Sequence, residues 1–150
     1  MSTPHKVSTE QARALNAYVR LMRAVEFVTR RISPHLATHG LTWSQFEVLE
    51  ALNQFGSLCQ NTVAEKILKS PANITTVIDN LEKQKLVRRE RSAEDRRFVT
   101  VHLTEEGRRL IHEACPRHIA AIVEEMKILS KSEQEELSRL CRKLELKEGK

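Results

Sequence analysis

The sequence predicts a mainly helical protein with one small β-hairpin, and three observations carry that prediction. Apolar residues recur at three- and four-residue steps along most of the chain. Only four glycines and four prolines punctuate its 150 residues. One stretch, residues 86–104, instead places alternating apolar and polar side chains beside a polar loop. The length suits one domain with a real core, so residues 1–150 are read as a single unit.

Taken in order, the first helix spans about Thr9 to Ile32, with Leu15, Tyr18, Val19, Met22 and Val25 at helical steps. Ser33-Pro34 kinks or ends it, and Gly40 suits a stop. Thr42 and Gln45 have the spacing of a capping box, and Leu41 can staple to Phe46, so a helix starts at "LTWSQF" and ends near Phe55-Gly56. A short helix follows, roughly Gln60–Leu68. Ser70-Pro71 opens another, since serine caps and proline suits the first helical position. That helix runs to about Gln84, burying Ile74, Val77, Ile78 and Leu81 and leaving Asn73, Thr75, Thr76, Asn80 and Lys83 on its other faces. The hairpin is "LVRRER", loop "SAEDR", return "RFVTVHLT". Thr104 caps a long helix interrupted at Pro116, and a last helix starts near Ser130 or Ser132.

Net charge is +5, but its distribution says more: +4 over residues 1–41, −2 over 42–68, +3 over 69–109 and zero thereafter. Three scattered cysteines without a CxxC pair argue for a reducing compartment, and no run approaches a membrane span. The N-terminus lacks a signal-like apolar region, so a bacterial-type cytoplasmic protein is expected. There is no HExxH, P-loop, dinucleotide fingerprint or triad-like grouping, which argues against an enzyme and implies neither cofactor nor catalytic residue.

Short helix, tight turn, polar-faced helix and basic hairpin, in that order, make a winged helix-turn-helix. Each part suits duplex DNA. Asn, Thr and Lys side chains on the second helix can meet base edges and phosphates in the major groove. Arginines at the hairpin tip can reach the backbone or a narrow minor groove. Asp95 is unexpected in a purely attractive tip; two residues before Arg97, it can hold that guanidinium in one pose. The plainer readings are a solvated charged loop and ordinary polar surface. The terminal helices carry apolar stripes that one small wing domain cannot cover, and a two-fold contact between copies would bury them.

The stretches "GLTWSQFEVLEAL", "SPANITTVIDNLEKQKLVRR" and "EDRRFVTVHLTEEG" together resemble the MarR family of bacterial transcriptional regulators, over about Leu36 to Leu110. The resemblance implies a homodimer held by helices at about 9–35 and 108–148, around a winged helix-turn-helix at about 41–104. It implies a repressor on a pseudo-palindromic operator, released by a small effector. By position it assigns Ser70, Asn73, Thr75, Thr76, Asn80 and Lys83 to a recognition helix, and Arg88, Asp95, Arg96 and Arg97 to the wing. The sequence departs at Lys69 and Lys85, where relatives often have glycine, and at Cys59, where a hydroxyl residue often caps the short helix.

Trp43 and Phe46 are candidates to line an effector cleft, with Arg23 as counter-charge for an acidic or aromatic effector; plain packing and a solvated helix face are the alternatives. A zinc-responsive regulator is a further alternative, since His35 and His39, and His112, Cys115 and His118, lie near one another in sequence. Those spacings converge poorly on a tetrahedral site, so no metal is assigned. A redox-responsive regulator would need Cys59 or Cys115 exposed and electropositive. A winged-helix interaction module without DNA binding is the remaining alternative; the intact arginine tip counts against it.

Overall fold

The computed structural model describes residues 6–67 and 71–148, which form seven α-helices and three short strands. Helix α1 (Thr9–Ile32) opens on a capping box: Ser8 Oγ accepts from the Gln11 amide and Gln11 Oε1 accepts from the Ser8 amide. It stops at Ser33, and α2 (Pro34–Ala37) takes the proline at its start. Gly40 follows with φ +70°, left-handed backbone that glycine adopts without a Cβ penalty. Helix α3 (Trp43–Phe55) begins on the Thr42–Gln45 box that the spacing predicts. Leu41 and Phe46, either side of that cap, are both buried.

Residues 58–59 carry no period-two signal, yet Leu58 pairs with Val101 and Cys59 with Thr100 to make strand β1 (Leu58–Cys59). With β2 (Val87–Arg91) and β3 (Val99–Leu103) it forms an antiparallel sheet in the order β1-β3-β2. Helix α4 (Gln60–Lys66) starts at Cys59, whose side chain makes no capping hydrogen bond. Helix α5 (Pro71–Lys83) buries Ile74, Ile78 and Leu81 completely, with Val77 half-buried. Lys69 and Ser70, expected at its entry, lie outside the described residues. The turn into β2 passes through Lys85 at φ +64°, where glycine would cost about 1 kcal/mol less.

Thr104 caps α6 (Glu105–Met126) by accepting from the Gly107 amide at 3.0 Å. The expected interruption at Pro116 does not occur: α6 runs through it. Pro116 and His112 are both exposed, so water can satisfy the His112 carbonyl that the missing amide leaves without a helical donor. Helix α7 (Lys131–Glu145) opens on a Ser130–Glu133 capping box.

One apolar cluster joins these elements, with Leu36, Phe46, Leu49, Ile74, Val101 and Ile111 at its centre. It is built almost wholly from α2 to α6 and the sheet. Of the 24 residues of α1 only Ile32 is buried, and α7 buries none.

Candidate nucleic-acid interface

The helix-turn-helix is α4 and α5, set on α3 through shared core residues. Because Ile74, Ile78 and Leu81 turn inward, Asn73, Thr75, Thr76, Asn80 and Lys83 turn outward, and all five are exposed. Ser70 falls outside the described residues. Thr75 is engaged within the protein: its hydroxyl accepts from Gln60 Nε2 at 3.0 Å and its carbonyl from Arg89 Nη2 at 3.1 Å.

Beyond α5, β2 and β3 run in register from Val87↔Leu103 to Arg91↔Val99 and present the wing tip. The tip is an ordered turn. Ser92 Oγ accepts from the Glu94 and Asp95 amides, each at 3.2 Å, and the Phe98 amide donates to the Asp95 carbonyl at 3.0 Å. Arg91 ties the far side by donating to the Arg96 carbonyl at 2.7 Å.

Within that turn the fork expected of Asp95 and Arg97 is present. Arg97 Nε donates to Asp95 Oδ1 at 3.0 Å and Nη2 to Oδ2 at 2.8 Å, while the Arg97 amide also reaches Oδ1. These hydrogen bonds, the side-chain ones foremost, hold the Asp95 carboxyl below the usual carboxylate range. The Arg97 side chain nevertheless stays 87% exposed, so the acid orients the guanidinium without covering it. Arg96 is exposed beside it, and Arg88, also exposed, pairs with Glu90 along the same strand face at 3.2 Å.

Two of the three effector candidates, Trp43 and Phe46, fall elsewhere, at the junction of α2, α3 and α6. Phe46 is core, 1% exposed, with its ring centroid 4.4 Å from that of His118; half-buried Trp43 lies at 5.4 Å from the same imidazole. Arg23, on α1, stacks over Phe27 at 5.3 Å. The junction also pairs two histidines that the local spacing assigns to separate groups: His35 Nε2 and His118 Nδ1 share a hydrogen bond at 2.9 Å. Among the described residues no three potential ligands gather as a metal group. Cys115 is half-buried, and burial, followed by the Glu50 carboxylate, pushes its thiol up, away from the thiolate that redox chemistry needs.

Both junction imidazoles titrate below the ordinary value of about 6.5. Burial is the first cause for each; His118, His39 and Arg117 add repulsion on His35. The folded state therefore prefers them neutral, while the unfolded chain takes up protons below about pH 6.5. Their contribution is full above that value and is lost as pH falls through it toward the lowered folded values. The urea midpoint is expected to drop between about pH 7.5 and about pH 5.5, and His118→Gln to flatten that drop. An equal drop in the variant would remove the pair as its cause.

A helix offering polar side chains beside a wing that holds an exposed arginine in one pose defines a winged helix-turn-helix protein of the DNA-binding class. Residues 30–114 match the family described as Transcriptional regulator SarA/Rot. The chain is 32% identical to the HTH-type transcriptional regulator MhqR of Bacillus subtilis over 134 residues, 89% of this chain and 92% of that one. Its fold is that of AbsC, a MarR family transcriptional regulator from Streptomyces coelicolor, with TM-score 0.80 and 22% identity over 98% of this chain and 100% of the other. It is also similar to Bordetella bronchiseptica BpsR, whose DNA binding is regulated by 6-hydroxynicotinic acid, with TM-score 0.73 and 26% identity over 84% and 98%. The chain belongs to the MarR family of winged helix-turn-helix transcriptional regulators, a family of DNA-binding proteins and not of enzymes. Among the described residues no helix is long and apolar enough to cross a membrane.

Sequence reasoning singled out the wing tip because its acid and base are two residues apart. It missed Gln60 and Arg89, which join α4, α5 and β2; the only signal was the strand alternation that turns Arg89 away from Arg88.

Proposed function

We propose that two copies of this chain bind a pseudo-palindromic operator as a cytoplasmic homodimeric repressor, which a small acidic or aromatic effector releases. The observation that carries the DNA contact is the fork-held Arg97, exposed at the tip of an ordered wing beyond the polar face of α5. In this reading Ser70, Asn73, Thr75, Thr76, Asn80 and Lys83 meet the major groove, and Arg88, Arg96 and Arg97 meet the backbone or minor groove, with Asp95 aiming the last. Residues 9–35 and 108–148 form the dimer contact around a winged helix-turn-helix at 41–104. The two-fold places the recognition helices about 34 Å apart, one turn of DNA.

The junction of α2, α3 and α6 joins the dimer helices to the wing domain, so a ligand seated by Trp43 and Phe46 would shift one against the other, with Arg23, carried on α1, as the proposed counter-charge. The regulation of BpsR by 6-hydroxynicotinic acid, an acidic aromatic, supports that effector class here. Differential binding of about 1–3 kcal/mol between the two arrangements is enough to lower operator affinity 5- to 150-fold.

Arg97→Ala is expected to weaken duplex binding roughly 10- to 100-fold, on operator and random DNA alike, and to reduce its salt dependence. A competition gel shift across a salt series checks it. Unchanged binding would remove the wing from the interface, and a wild-type protein that ignores every duplex in dilute buffer would overturn the reading.

A further inference from the structure

We infer that Arg89 sets the position of α5 against the wing, and so governs which DNA sequence is read without touching the DNA itself. The inference rests on the DNA-binding reading above and adds a determinant of specificity to it.

Strand side chains alternate, so Arg88 and Arg89 leave β2 on opposite faces. The Arg88 side chain is 58% exposed; that of Arg89 is 22% exposed and turned against the helices. There its guanidinium spends its donors on two elements. Nε donates to Gln60 Oε1 of α4 at 3.2 Å. Nη2 donates to the Thr75 carbonyl of α5 at 3.1 Å, and Nη1 lies 2.5 Å from Asp79 Oδ1 and 3.4 Å from Glu82 Oε1. The Arg89 amide donates to the other Glu82 oxygen at 3.0 Å. Thr75, Asp79 and Glu82 are four and three residues apart, one face of one helix. Gln60 closes the circuit, accepting from Arg89 and donating to the Thr75 hydroxyl at 3.0 Å.

This fork supplies what the core cannot. The contacts of Ile74, Ile78 and Leu81 fix how deep α5 sits, but burial of apolar surface is not directional and tolerates small rotation and sliding. A planar guanidinium with several fixed acceptors does not. Base-edge hydrogen bonds need that discipline, because they fail beyond a few tenths of an ångström, whereas attraction to phosphate tolerates the error. Direct contact by Arg89 is disfavoured by its neighbours: Asp79 and Glu82 place two carboxylates on one guanidinium, and the local excess of negative charge repels a phosphate.

The probe is the duplex that the wild-type protein enriches from a randomised pool, set against its scrambled counterpart. Arg89→Lys keeps the charge but not the fork. It is expected to lower the ratio of operator to scrambled affinity about tenfold, the size of one lost base-pair readout. Affinity for the scrambled duplex should stay within about threefold of wild type. Gln60→Ala, which removes the link to Thr75 and leaves no charge unpaired, is expected to lower the ratio in the same direction with little change in melting temperature, and so answers for any loss of folding in the arginine variant. A ratio unchanged in both variants, or operator and scrambled affinities falling together, would overturn the inference alone. A wild-type protein that enriches no sequence would instead overturn the operator reading on which it stands.

Discussion

Replacing Gly107 with alanine is expected to destabilise the fold by about 2–4 kcal/mol, although helix propensity alone gives the opposite sign. In the first turn of α6, alanine would ordinarily gain about 1 kcal/mol over glycine. Here a Cβ on residue 107 would stand 2.1 Å from the Leu86 carbonyl oxygen and 2.9 Å from a Leu103 methyl carbon. The carbonyl cannot yield easily. It accepts from the Thr104 amide at 3.1 Å, while the Thr104 hydroxyl donates to the neighbouring Lys85 carbonyl at 2.7 Å and accepts from the Gly107 amide. Making room for one methyl group therefore opens the tie between the start of the wing and the start of α6, in a turn already strained at Lys85. Urea unfolding measures the outcome. A midpoint at or above that of wild type, with unchanged slope, would show that this contact gives way at no cost.

How much of this was legible depended on how far along the chain each determinant reaches. The starts of α3 and α6 show in the sequence because each cap and the residue it bonds lie three positions apart, Thr42 with Gln45 and Thr104 with Gly107, and the start of α5 shows because Pro71 suits a first helical position. The Asp95–Arg97 fork shows for the same reason. Strand β1 does not, since two residues carry no periodicity and exist as a strand only through Val101 and Thr100, more than forty positions away. Pro116 reads as a break because its missing amide is local, whereas the exposure that lets α6 continue depends on what packs nearby. His35 is grouped with His39 by spacing; the fold sets it against His118, 83 residues on. Arg89 sits inside a run of basic residues that reads as a single patch; strand alternation turns it away from Arg88, but the acceptors that engage it, Asp79, Glu82 and Gln60, are brought to it only by the fold.

The largest effect on function is expected from charge placed on α7. Leu137, Leu140, Cys141 and Leu144 recur at helical steps, yet no residue of this 15-residue helix is buried by its own chain. Its start is tied down, with Gln134 Nε2 donating to the Met126 and Leu129 carbonyls at 3.0 and 3.1 Å. Further along, Leu140 and Leu144 line an open groove of about 550 Å³ shared with Ala17 of α1. On α1, Leu15, Tyr18, Val19 and Met22 are exposed as well. An isolated amphipathic helix of this length is marginal in water and draws its stability from what covers its apolar face. A second copy offers a matching surface by symmetry, and Leu140→Glu with Leu144→Glu would set four carboxylates into that contact. The double variant is expected to sediment as a monomer at micromolar concentration and to lose part of its helical circular dichroism. Its operator affinity should fall by roughly two orders of magnitude or more, because the second half-site would no longer be held at high effective concentration. The α5 surface and the wing are untouched by the change, so weak binding to random duplex should survive. A double variant that stays dimeric with full operator affinity would move the contact off α7, and a wild-type protein monomeric at the same concentration would remove the paired geometry altogether.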